Sequence, residues 1–127
     1  MNEYQKQAVR TAKRVNQDFD LMHAALGLSG EAGEFSDAIK RHLVYGKPLD
    51  RTNAFEELGD ILWYVALACE SLGVDMSEIA KLNLDKLRIR YPEEYSDSLA
   101  SKRLDKPCEC THMDVCDWND KCMKRVF

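Results

Sequence analysis

Apolar residues recur along this chain at helical spacing in four stretches, and no stretch shows the two-residue alternation of a strand. A first helix is expected from Asn2 to Asn16, with Tyr4, Ala8, Ala12 and Val15 on one side. A second is expected from Leu21 to Leu43. Its apolar face holds Leu21, Ala24, Leu28, Phe35, Ala38 and Ile39, and Gly46-Lys47-Pro48 ends it. A third starts near Asn53, where Asn53 and Glu56 have the spacing of a capping box. Phe55, Leu58, Ile61, Leu62, Val65, Ala68 and Leu72 form its expected buried stripe, and Gly73 stops it. A fourth begins around Asp75-Met-Ser-Glu78 and carries Ile79, Leu82, Leu84 and Leu87. Tyr91-Pro92 closes it, because proline disfavours helical geometry in the residue before it. The pattern predicts an all-α fold, an antiparallel four-helix bundle. It sets the helical domain at residues 1–95 and a polar, cysteine-rich tail at residues 96–127.

Composition narrows the function classes. With 127 residues, one core is the expectation. A net charge of -4 gives no basic surface for nucleic acid. No apolar run approaches the ~20 residues that span a bilayer, so no membrane partner is expected. The N-terminal MNEYQKQAVR is polar and mixed in charge, unlike a signal peptide, and a reducing cytoplasm is the expected compartment.

Two acidic pairs stand out: Glu31-Ala32-Gly33-Glu34 and Glu57-Leu58-Gly59-Asp60. The i, i+3 spacing stacks each pair on one helix face. Four carboxylates so placed repel one another unless a cation lies between them, and oxygen clusters suit Mg²⁺ or Mn²⁺. At 100° per residue, Glu57, Asp60 and Tyr64 fall within about 60° of one another, beside the apolar stripe. Glu31, Glu34 and His23 share a sector of the second helix. Gly27, Gly30 and Gly33 lie in the same region, each costing about 1 kcal/mol relative to alanine in a helix interior. Close packing or close approach of a ligand would account for them.

Glu31-x-x-Glu34, 22 intervening residues and Glu57-x-x-Asp60 resemble the signature of the MazG-like, all-α nucleotide pyrophosphohydrolases. The likeness runs over residues 4 to 95. It takes in the stretch from His23 to Glu34, the stretch from Glu56 to Tyr64, and Asn83-Leu-Asp-Lys86 through Arg90 to Pro92. The resemblance implies Mg²⁺-dependent hydrolysis of nucleoside or deoxynucleoside triphosphates to the monophosphate and pyrophosphate. It implies Glu31, Glu34, Glu57 and Asp60 as metal ligands, with Glu56 as an accessory. It makes Glu31 and Glu34 the catalytic acids, with Glu34 the one that helps activate water. It makes Lys86 and Arg90 the phosphate cations, and Asn83, Tyr64 and His23 the other substrate contacts, with Trp63 a weaker candidate. Sites in this family form with neighbouring subunits, and apolar positions left over on the first and fourth helices suit a homodimer or homotetramer.

Two other classes stay open. A ferritin-like di-iron protein would need two Glu-x-x-His motifs on its helices, and the four helical stretches hold none. A non-catalytic helical interaction module would use the acids only as a solvated face. In the tail, Cys108, Cys110, Cys116 and Cys122, near His112, are candidate ligands of a structural Zn²⁺; Cys69 stands apart.

Overall fold

The computed structural model describes residues 3–106. Among these residues there are five helices and no strand: α1 (Glu3–Val9), α2 (Gln17–Leu43), α3 (Arg51–Ser71), α4 (Met76–Arg90) and α5 (Asp97–Lys102). The all-α expectation holds. Cys108, Cys110, Cys116 and Cys122, and with them the zinc expectation, lie outside the described residues. No helix among the described residues is long and apolar enough to cross a membrane. The chain divides into two compact units, residues 1–80 and residues 81–127.

In the first unit α2 and α3 form an antiparallel hairpin, and α1 packs on α3. Gln17 at the start of α2 donates from Nε2 to the Ser71 carbonyl at the end of α3 (2.8 Å), which sets the register. Helix α1 stops at Val9, well short of the expected Asn16. Thr11 bonds back to the Ala8 carbonyl (2.7 Å), and Asp20 draws the following segment into a turn. Its buried carboxylate takes Arg14 Nε at 2.6 Å and the Val15 N–H at 3.1 Å. The Arg14 hydrogen bond leads the causes that hold the Asp20 carboxyl below the usual range. Asn16 then caps α2, accepting from the Phe19 N–H, so this helix begins at Gln17 and not at Leu21.

The third helix also starts earlier than the apolar pattern indicates. Asp50, not Asn53, is its N-cap and accepts from the Asn53 N–H at 3.1 Å. Gly73 ends it at φ +69, in the left-handed region that glycine enters without a Cβ penalty. The expected stripe of α3 is only partly covered. Ile61, Val65 and Ala68 are half-buried and Phe55, Leu58, Leu62 and Leu72 exposed, whereas the buried positions of α3 are Ala54, Glu57, Ala66, Leu67, Cys69 and Ser71, outside that stripe. Helix α1 covers the later turns, where the Trp63 indole N–H donates to the Ala8 carbonyl (3.1 Å) and Thr11 Oγ1 (2.8 Å). Buried Gln5 ties α1 to the turn after α3, donating to the Val74 carbonyl (3.1 Å) and accepting from the Met76 N–H (2.8 Å).

In the second unit the chain past Tyr91-Pro92 makes a short helix that apolar periodicity did not announce. Ser96 caps α5 by accepting from the Leu99 N–H, and Arg103 turns the chain in a left-handed conformation (φ 50). Asp105 is then held by Arg90 through two hydrogen bonds, from Nε at 2.6 Å and from Nη2 at 2.5 Å.

Candidate functional site

The α2–α3 hairpin brings the two acidic pairs opposite each other. Glu31 on α2 and Glu57 and Asp60 on α3 each offer a carboxylate oxygen, and these oxygens lie within 4.8 Å of one another. Glu57 is buried, Glu31 half-buried and Asp60 exposed. Asn53, one turn before Glu57, donates from Nδ2 to Glu57 Oε1 at 2.6 Å and so orients that carboxylate. The sequence read Asn53 as a cap. Because Asp50 takes the capping role, the Asn53 amide is released to the site. The i, i+4 spacing of Asn53 and Glu57 was the available signal.

Burial pushes the Glu31 carboxyl up from its ordinary range. A hydrogen bond shared with Glu57 and the negative charge of Glu34, Asp60 and Glu57 push it further. Carboxylates this close do not all ionise without a compensating charge. The set is acceptor-only and built from hard oxygen donors, and Glu57 is already oriented by an amide, which fits a divalent cation. Glu34 is exposed and is not among the three converging acids. It lines an adjacent cleft of about 110 Å³ with Asp37, Ala38, Arg41, Asn53 and Glu57.

This repulsion has a measurable consequence. An acid with a raised folded-state pKa keeps its proton where the unfolded chain has released it. Its stabilising contribution is present below the ordinary glutamate value and is lost as pH rises through the raised one. Glu31→Gln is therefore expected to melt a few degrees above wild type at pH 7 without metal. The gap should narrow as pH falls through the glutamate range, and Mg²⁺ should raise the melting temperature of wild type more than that of the variant. A gap independent of pH in a thermal-melt series would contradict this.

The other residues singled out from the sequence fall in different places. Tyr64 lies over the backbone of Gly27, where a Cβ would fall inside the tyrosine ring. Its ring meets His23 edge-on at 5.5 Å and Trp63 at 4.8 Å. Close helix packing thus accounts for Gly27. A Cβ at Gly30 or Gly33 would meet nothing within 4 Å. His23 Nδ1 is buried and has no hydrogen-bond partner among the described residues. Trp63 is tied to α1 through its indole N–H. Asn83 and Lys86 are exposed on α4. Arg90 is engaged by Asp105, which raises its pKa further and holds the Asp105 carboxyl well below the usual range.

Residues 19–95 match the MazG nucleotide pyrophosphohydrolase domain, which is more than half of the chain. The chain is also similar to the gene 37 protein of Mycobacterium phage L5, with 36% identity over 74 residues. That alignment covers 55% of this chain and 65% of the phage protein, slightly less than two thirds of its length. No solved structure matches.

Proposed function

The chain belongs to the MazG nucleotide pyrophosphohydrolase family, and on that basis we propose that it hydrolyses nucleoside or deoxynucleoside triphosphates to the monophosphate and pyrophosphate. The observation that carries this is the convergence of Glu31, Glu57 and Asp60 from two packed helices. In this reading residues 1–95 are the catalytic domain and residues 96–127 an appendage.

Glu31, Glu57 and Asp60 would hold Mg²⁺, with Mn²⁺ as a substitute, and Asn53 would keep Glu57 facing the ion. The bound metal supplies charge neutralisation on the phosphate oxygens and a water of lowered pKa. Glu34 sits in the adjoining cleft with its carboxylate exposed, which supports its assignment as the group that takes the proton from the attacking water. The water oxygen bonds to the α-phosphorus. The bond from that phosphorus to the bridging oxygen breaks, and pyrophosphate departs with the bridging oxygen.

Tyr64, His23 and Asn83 are assigned to the nucleoside and Lys86 to phosphate charge, while the Arg90 expected there is engaged by Asp105. Exposed apolar side chains on the hairpin, Met22 and Leu26 on α2 and Phe55, Leu58 and Leu62 on α3, support a homodimer or homotetramer. The cytoplasm is the proposed compartment.

The test is an assay of purified protein against the common ribo- and deoxyribonucleoside triphosphates with Mg²⁺. Monophosphate and pyrophosphate are expected in equal amounts, with turnover abolished by a chelator and restored by Mg²⁺. Release of orthophosphate with a diphosphate product would point to a different bond. No turnover across the panel would reject the reading.

A further inference from the structure

A triphosphate brings several negative charges to a site already built from carboxylates, so fixed positive charge is needed beside the metal. Of the two cations the sequence offered on α4, Arg90 has its guanidinium forked onto Asp105, an acid only 1% exposed. Losing Arg90 would leave the buried Asp105 carboxylate only Arg103 Nε, 3.6 Å away, which opposes handing Arg90 over to a phosphate.

A different cation lines the site. Arg41 on α2 borders the same cleft as Glu34, Asn53 and Glu57. It lies seven residues after Glu34, two turns along one helix face, with Ala38 between them leaving room. The Arg41 side chain is 62% exposed, and its Nε is 2.7 Å from Asp37 Oδ2. Among the described residues no other ion pair engages it, so one edge of the guanidinium is steadied and the rest of its donors stay open. The cleft, about 110 Å³, has room for on the order of a few water molecules. The open Arg41 donors along it suit phosphoryl oxygens.

We propose that Arg41 binds the β- and γ-phosphates, the part of the substrate that leaves as pyrophosphate. This rests on the triphosphate reading above. Arg41 makes and breaks no bond. Its planar fork of donors offsets the charge that builds on the departing group as the bond to the α-phosphorus lengthens.

The test is calorimetric titration of wild type, Arg41→Ala and Arg41→Lys with inorganic pyrophosphate and, separately, with a nucleoside monophosphate, both with Mg²⁺. Product inhibition is measured in parallel. Arg41→Ala is expected to weaken pyrophosphate binding and pyrophosphate inhibition by about tenfold or more, with monophosphate binding unchanged. Arg41→Lys should recover part of the loss. Equal pyrophosphate affinity in wild type and Arg41→Ala overturns the proposal while leaving the triphosphate reading intact. Equal loss of both ligands in Arg41→Ala marks the residue as structural and also overturns it, as does a wild type that binds no pyrophosphate. A wild type that turns over no triphosphate defeats the broader reading. Selective loss of pyrophosphate in Arg41→Ala would still uphold the site.

Discussion

Glu57→Gln is expected to lower Mg²⁺-dependent turnover at least about a hundredfold while leaving the helical circular dichroism spectrum unchanged. Removing groups that merely orient a metal ligand costs 10–100-fold in affinity or activity, and loss of a ligand's own charge is larger. Glu57 is the most buried of the three converging acids and the one that touches both Asn53 and Glu31. Glutamine keeps its length and still accepts from the Asn53 amide. Its own N–H can donate to Glu31, so the metal-free fold loses a repulsion and keeps its hydrogen bonds. Activity and stability therefore separate. Asn53→Ala should fall between wild type and Glu57→Gln, about 10–100-fold down, because it leaves the ligands in place and loosens one. Steady-state kinetics over a Mg²⁺ titration distinguish the two, since more metal should recover part of the Asn53→Ala loss and none of the Glu57→Gln loss. Wild-type turnover in Glu57→Gln would remove the central support for a metal-based mechanism.

The second large effect is on the fold. Gly27→Val should lower the melting temperature by roughly 10 °C, whereas Gly30→Ala should raise it by a few degrees. At Gly27 any Cβ overlaps the Tyr64 ring, and that ring is boxed in by His23 and Trp63. The hairpin must open or the aromatic cluster must repack. Overpacking of this kind costs about 1–3 kcal/mol or more. For a domain of this size each 1 kcal/mol moves the transition by roughly 3–6 °C. At Gly30 a Cβ meets nothing, so the substitution only recovers helix propensity, about 1 kcal/mol. Thermal melts of the two variants decide the matter. Equal shifts in both would mean that the Tyr64–Gly27 contact does not set the hairpin spacing.

These glycines also mark where sequence reasoning reached its limit. Gly27, Gly30 and Gly33 carry the same local signal, a helix-weakening residue near the acids. Which of them meets a side chain depends on the register of α3 against α2. That register places Tyr64 over Gly27 and leaves the other two open. The acids divide by the same rule. Spacing puts Glu31 and Glu34 on one face, yet only Glu31 reaches Glu57 and Asp60, while Glu34 borders the cleft beside them. Asn53 and Arg41 were missed because each has an ordinary local explanation, a cap and a solvated helix charge; Asp50 takes the cap and leaves the Asn53 amide to Glu57, and the packing of α2 on α3 puts Arg41 beside the same cleft.

By itself the amino-acid sequence determined the all-α class, the order of the four main helices and the two acidic pairs. Hydrophobic period, caps and breakers act within a few residues along the chain, and so they are written in it. The end of α1 at Val9 and the cap at Asp50 rest on local side-chain hydrogen bonds that the apolar period does not carry. Tertiary structure alone decided that Phe55, Leu58 and Leu62 stay open while Trp63 is covered by α1. It also decided which three acids converge. Each of these outcomes depends on what lies opposite a side chain, and residues far apart in the chain become neighbours only when the helices pack.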